Sequence, residues 1–294
     1  MKRKSIPEKV FMVFNFILLG LAALLCVAPV IHLLALSLSS NAAATSGQVG
    51  LWPKDFTLAS YEFVLKKPEF LGALWVSVKR VFVGVPINLI LTILCAYPLS
   101  MDNRNFRMRT VYVWFIFVTM LFSGGLIPTY MTVRQTGLMD TIWSLIIPGA
   151  LPAFYVLIML NFFRGLPKEL QESAFIDGAG HWRCLWNIYV PLATAPIATI
   201  TLFAFVAHWN SWFDGMIYLN NPGDQPLQTY LRHIIQTNAM SQMSLQQAIA
   251  MADRINDRTL KAAQIFLAMV PVLIVYPLAQ RYFTEGVVLG SVKE

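Results

Sequence analysis

Six stretches of this chain contain no Asp, Glu, Lys or Arg: residues 10–53, 81–101, 110–133, 141–163, 184–213 and 262–280. A helix rises 1.5 Å per residue, so about 20 apolar residues cross a hydrocarbon layer about 30 Å thick. Each stretch is long enough, and of the first only Val10 to about Leu38 is needed. The expectation is an all-α membrane protein with six transmembrane helices in one domain, residues 1–294. Its spans lie near 10–38, 81–101, 110–133, 141–163, 190–213 and 262–281. A seventh charge-free interval, 233–252, is set aside because the amides of Gln236, Asn238, Gln242, Gln246 and Gln247 would be unsatisfied in lipid. Charged residues make up 13% of the chain, against about 25% in an ordinary soluble domain.

The few charges set a topology. Lys2, Arg3, Lys4 and Lys9 precede the first span, and Arg104, Arg107 and Arg109 fill the short 102–109 loop. The loop after the third span, 134–140, has only Arg134. By the positive-inside bias, both termini and the 102–109 and 164–189 loops are cytoplasmic. The net charge of +7 is thus chiefly a topology signal, and no basic soluble face offers itself to nucleic acid. The first apolar run is far longer than the core of a cleaved signal, so a retained helix is expected. Lys79 and Arg80 flank the start of span two and are expected to snorkel outward. Cys26 and Cys95 fall in spans and Cys184 in a cytoplasmic loop, an odd count in places that argue against a disulfide framework. His32 and His208 are isolated, with no second ligand at metal spacing.

The 164–189 loop reads as two short helices. Pro167 suits a first helical position, and Glu169 and Glu172 sit near the positive end of the dipole. Leu166, Leu170 and Ala174 repeat at i, i+4 and i+8, and Gly178 is a natural stop. A second stripe follows in Trp182, Leu185, Trp186 and Tyr189, and Pro191 opens the fifth span. Two amphipathic half-faces outside the bilayer need a cover: the membrane surface, the chain's own helix ends, or a partner.

Glu172-Ser173-Ala174, then Asp177-Gly178-Ala179, then Ile188 and Pro191, resembles the coupling-loop signature of ATP-binding-cassette importer permeases. That pattern begins Glu-Ala-Ala, so Ser173 is a small-for-small departure. Trp52-Pro53 with Phe56-Thr57-Leu58 and Tyr61 is similar to the family's sugar-importing branch. The run Phe122-Ser123-Gly124-Gly125-Leu126-Ile127-Pro128-Thr129-Tyr130 resembles a narrower group that imports lipo-oligosaccharides and polysaccharide fragments, alginate among them. So do His208-Trp209-Asn210-Ser211-Trp212, Pro226-Leu227-Gln228 and the tail Tyr282-Phe283-Thr284-Glu285-Gly286-Val287.

The resemblance implies the type I importer permease fold in a bacterial cytoplasmic (inner) membrane. It also implies partners: a second homologous permease, two ATPase subunits that bind ATP and Mg²⁺, and an extracytoplasmic solute-binding protein. The chain has no Gly-x-x-x-x-Gly-Lys-Ser/Thr phosphate loop, so it is expected to be no enzyme and to hold no cofactor. Energy would arrive through the coupling residues Glu172, Ser173, Ala174, Asp177, Gly178, Ala179 and Pro191.

Sugars are held by aromatic faces and by amides or hydroxyls. Trp209 and Asn210, with Ser123, Tyr130 and Asn161, are the candidates for a substrate path; Trp212 and Tyr218 fit an interfacial belt better. The 214–261 outer loop, with a short helix suggested by Leu245, Ile249 and Ala252, is expected to meet the binding protein through part of 236–257 or to rest as a lid. The same machinery could carry another solute. A membrane enzyme should show a cluster of acid, base and nucleophile or metal ligands at one depth, and a proton-coupled carrier intramembrane carboxylates; the expected spans have no charged residue except at their ends.

Overall fold

A computed structural model describes residues 6–102, 106–236 and 256–291, with side chains in the last helix only as far as Pro277. In chain order the helices are α1 (Ile6–Ser37), α2 (Asn41–Thr45), α3 (Ala59–Lys66), α4 (Pro68–Ser100), α5 (Arg109–Leu121) and α6 (Leu126–Gln135). They continue with α7 (Trp143–Gly149), α8 (Ala153–Gly165), α9 (Lys168–Ile176), α10 (His181–Leu192), α11 (Thr194–Asn210), α12 (Phe213–Tyr218), α13 (Leu227–Gln236) and α14 (Asp257–Ser291).

α1, α4 and α14 are long and apolar enough to span a membrane. Three bent pairs join them: α5 with α6 at 115°, α7 with α8 at 48°, and α10 with α11 at 80°. With each pair taken as one span the number is six, as expected, but the boundaries differ. α4 starts well before the expected residue 81, at Pro68, which fits the first helical position, with Glu69 in the first turn. Lys79 and Arg80 therefore lie inside this helix; Lys79 is exposed, but Arg80 is buried at 3% exposure. The expected outward snorkelling of Arg80 is corrected.

Span three is bent at residues 122–125, which include Gly124-Gly125, and so sharply that α6 turns back from α5. Pro148 sits in the 3₁₀ turn Ile147–Gly149 that ends α7, next to the bend in span four. Pro191 does not open the long part of span five. It lies in the last turn of α10, and the chain breaks at Ala193 before α11 begins.

The chain forms two compact units. The first comprises Met1–Phe70 with Leu231–Val270. Here the end of α1 is tied to the 46–61 segment: Ser37 Oγ to Tyr61 Oη at 2.6 Å, the Lys54 N–H to Ser39 Oγ at 3.1 Å, and His32 Nδ1 to the Gly50 carbonyl at 2.8 Å. Asn256 Nδ2 donates to Thr45 Oγ1 at 3.0 Å. None of the most apolar window of α1 is buried by the rest of the chain. Exposed rows such as Phe11, Phe16 and Leu25 would cost roughly 25 cal/mol per Å² in water and nothing comparable in lipid.

The second unit comprises Leu71–Tyr230 with Pro271–Glu294. Its core packs Ile93, Ala96 and Tyr97 of α4 against Val156, Met159, Leu160 and Phe163 of α8, Cys184, Leu185 and Tyr189 of α10, and Ile200 and Ala204 of α11. A smaller cluster joins Val133, Leu145, Tyr218 and Leu219. The stretch expected as the 214–261 loop is largely helical where it is described, in α12, α13 and the first turns of α14. Residues 237–255, including Leu245, Ile249, Ala252 and most of the expected binding-protein contact, lie outside the described residues.

Candidate functional site

The coupling loop is fixed by its backbone. α9 starts after Pro167, which takes the capping position (φ −57, ψ 131), with Glu169 in the first turn. Gly178 has φ +79, a left-handed conformation that a residue with a Cβ enters only at a cost. The Ala179 N–H reaches back to the Ala174 carbonyl at 2.9 Å, and the Gly178 N–H to Phe175 at 3.1 Å. These two bonds are the Schellman closure of a helix. Ala174 is buried, and Ala179 packs against the same cluster. The small residues of the motif thus have a physical reason, since a methyl at 174 and 179 lets the chain fold back on itself.

On its inner side the loop is bolted to the core. Tyr189 meets Tyr97 edge to face at 5.0 Å and Phe163 at 5.2 Å, and its hydroxyl donates to Gln171 Oε1 at 3.2 Å. His181 packs edge-on against Phe175 at 5.1 Å, its Nδ1 lying 3.4 Å from the Tyr97 hydroxyl. The expected second stripe does not bury as one face. Leu185–Tyr189 is a π-helical turn in which Leu185 and Tyr189 are buried and Trp186 is exposed, while Trp182 faces outward from the α-helical turn before it. Trp182 is 67% exposed and Ile176 86%. Glu172, Ser173, Asp177 and Gly178 are exposed as well, and Pro191 is exposed at the far end of α10. Ser173 Oγ donates back to the Leu170 carbonyl at 3.2 Å.

A second polar constellation lies inside the unit, and sequence reading missed it. The Arg80 guanidinium grips both carboxylate oxygens of Asp214, donates to the Leu145 carbonyl at 3.2 Å, and directs Nε to His208 Nδ1 at 3.3 Å. His208 Nε2 faces Asn88 Oδ1 at 2.8 Å. The Asn88 amide then donates to the carbonyls of Gly149 and Ala150, at 2.9 and 2.8 Å. Those carbonyls are freed where α7 ends, so the network satisfies backbone that the 48° bend exposes. Asp214 also accepts from Ser211 Oγ and from the Gly215 N–H, both at 2.8 Å. Room for His208 comes from Gly84, where an added Cβ would lie 2.5 Å from Nε2. The helix-start signature at Pro68-Glu69 was the available signal, since it places Arg80 about three turns inside a helix. His208, read as isolated, has partners on two sides.

The path candidates are not brought together as a set. Trp209 is buried, its ring stacked on Phe205 at 6.0 Å and 9°, so its faces serve packing. Asn210 is exposed at the last residue of α11. Ser123 sits in the break before α6 and accepts the Gly125 N–H at 3.2 Å. Tyr130 stacks on Tyr218 at 6.3 Å and 18°, which makes Tyr218 a packing residue as well as a helix-end aromatic. Asn161 is exposed two residues before Phe163, toward the coupling end of α8 rather than the end where α11 finishes.

Comparison with known proteins adds the lineage. The chain is 37% identical over 286 residues to protein LplC of Bacillus subtilis (strain 168), covering 97% of this chain and 95% of that one. It is 36% identical over 282 residues to the polygalacturonan/rhamnogalacturonan transport system permease protein YtcP of the same organism, covering 96% and 97%. Among solved structures, a chain from the crystal structure of a bacterial ABC transporter that imports the acidic polysaccharide alginate matches with a TM-score of 0.89 at 33% identity, over 96% of this chain and all of that one. A family model for the inner membrane component of binding-protein-dependent transport systems covers residues 1–288, and the chain belongs to that family.

Proposed function

We propose that this chain is the translocating subunit of an ATP-driven importer of oligosaccharides, acidic ones in particular, moved through its 168–192 loop. The observation that carries the coupling role is the division within that loop. Its inner face is locked by the Gly178 closure and the Tyr189 contacts, while Ile176, Trp182 and Trp186 face outward without a cover from the described residues. A rigid apolar edge transmits a push, whereas a flexible one absorbs it. Glu172 and Asp177 on the same edge supply charged contacts to the partner, Ser173 and the two alanines hold the turn, and Pro191 marks the joint to α11.

In this reading ATP and Mg²⁺ are bound by two partner ATPase subunits, and this chain holds neither. A second homologous permease completes the pathway, a solute-binding protein delivers the sugar, and both termini lie in the cytoplasm. The substrate class follows from the relatives: one is named for polygalacturonan and rhamnogalacturonan, another belongs to an importer of alginate. Asn210, Ser123 and Tyr130 offer the polar contacts of the path, Trp209 supports them from behind, and Asn161 would meet substrate only near the coupling end.

Uptake by the full complex in proteoliposomes tests the class. Galacturonate or mannuronate oligomers should drive ATP hydrolysis in the presence of the binding protein. Stimulation by amino acids or phosphate, with none by any oligosaccharide, would overturn the sugar assignment. For coupling, a cysteine introduced by Ile176→Cys should crosslink to an ATPase subunit; a crosslink to lipid alone would remove the loop from that role.

A further inference from the structure

We propose that the cavity of about 310 Å³ at the junction of α4, α5, α8 and α9 binds a phosphodiester headgroup, supplied by an acidic phospholipid. Arg109 and Arg164 line it from the start of α5 and the end of α8. Both direct N–H groups to one acceptor, the Leu99 carbonyl: Nε of Arg109 at 2.9 Å and Nη2 of Arg164 at 3.4 Å. Among the described residues neither guanidinium has a carboxylate within ion-pair distance. Lys168, a third cation on the lining, is engaged with Asp102 at 2.7 Å. Glu172 is the remaining acid there, so three cations face two carboxylates.

The Leu99 carbonyl takes one N–H from each guanidinium, and the remaining N–H groups of the half-buried Arg109 and the exposed Arg164 are available to a bound group. Gln171 also lines the cavity. Gln171 uses Oε1 to accept from Tyr189, but its buried Nε2 has no hydrogen-bond partner among the described residues. Two arginine forks lining one space suit a compact anion with several acceptor oxygens, since arginine forks match phosphate bidentately.

Depth identifies the source. The lining residues come from where α4 ends, α5 begins and α8 ends, the level at which spans meet the headgroup layer. Phospholipid phosphate is the concentrated anion at that level, and basic pockets between spans hold such groups. A second cavity, about 320 Å³ and walled by Leu94, Tyr97, Pro98 and Leu185, shares Met101 with the first. Apolar space beside an anion site suits an amphiphile better than free phosphate. This site goes beyond the transport reading and does not depend on which solute is carried.

The experiment is native mass spectrometry of the assembled importer released from phosphatidylcholine nanodiscs made with or without phosphatidylglycerol. Wild type should retain phosphatidylglycerol. Arg109→Gln and Arg164→Gln should each weaken retention by about tenfold, the worth of one charge-assisted contact. Arg164→Lys, which keeps the charge, should retain part of it and guards against a folding defect. Arg107→Gln is the control, because Arg107 is exposed on the same segment and absent from the lining; an equal loss there would mean diffuse attraction and overturn the site. If inorganic phosphate stabilises wild type but neither glutamine variant, while lipid is not retained, the headgroup source is wrong. If lipid retention is unchanged but the ATPase subunits dissociate from the glutamine variants, the guanidiniums serve a carboxylate of that partner and the proposal falls.

Discussion

The Arg80 network and the coupling loop sit in the same compact unit and solve opposite problems. Around Arg80 the chain completes its own chemistry: a buried cation meets a carboxylate, a histidine and a carbonyl, and an asparagine takes up backbone acceptors freed by a bend. At the loop the backbone is closed just as carefully, yet Ile176 and Trp182 are left bare. A region that satisfies itself is read as scaffold. A region that rigidifies its frame and leaves an apolar edge open is read as waiting for another molecule.

The sharpest way to break that contrast is to strand Arg80. Asp214→Ala should cost about 3–5 kcal/mol, because an uncompensated charge is left in the interior. The double variant Arg80→Met with Asp214→Ala should recover most of the loss. Thermal unfolding of the assembled importer measures both. A loss under about 1 kcal/mol in the single variant, the range of an exposed pair, would mean that water reaches Arg80 and that the knot is no scaffold.

The two regions also differ in how far they could be read ahead. The loop motif is local: Glu172 to Pro191 is one short stretch, and the demand for a residue at φ +79 is written directly as Gly178. The six apolar spans were likewise legible, because hydrocarbon thickness imposes a length that composition alone reveals. Arg80 was misread because the charge-free interval begins at Val81, whereas the helix begins at Pro68, and because its partner lies 134 residues away. No periodicity links Arg80 to Asp214. The split of Trp186 from Tyr189 was hidden for a different reason, since the π-turn that holds both changes the angular step on which a stripe at i, i+3, i+4 and i+7 depends.

A smaller effect is expected at Gly84. Gly84→Ala places a methyl against the His208 ring, which must shift or give up Asn88. Overpacking of this kind costs about 1–3 kcal/mol, and His208→Ala in the same chain should relieve the clash. If the double variant is no more stable than Gly84→Ala alone, the close approach is not the cause. At the loop, Gly178→Val should lower stability by about 1–3 kcal/mol through backbone strain while leaving the chain inserted, and should uncouple uptake from ATP hydrolysis. Asn, which tolerates the left-handed region better, should rank between Val and Gly. Glu172→Lys should uncouple with little change in stability, because its carboxylate is exposed and the turn does not use it. Normal uptake with both Gly178→Val and Glu172→Lys would reduce the loop to a surface helix pair.

The weakest effect should come from the ion pair that most resembles Arg80–Asp214 on paper. Lys168 and Asp102 lie 2.7 Å apart, but their side chains are 70% and 58% exposed. In that setting the attraction is screened by water and salt, and ordering two flexible side chains offsets much of it. A double-mutant cycle with Lys168→Gln and Asp102→Asn should give a coupling under about 1 kcal/mol, falling further as salt is raised. The Arg80–Asp214 cycle, run in parallel, should exceed it severalfold and respond little to salt, since its members are shielded from solvent. Equal couplings would mean that burial does not separate the scaffold from the open edge. A large coupling at Lys168 alone would shift the anchor of the loop outward, to the rim of the cavity that it shares with Arg109 and Arg164.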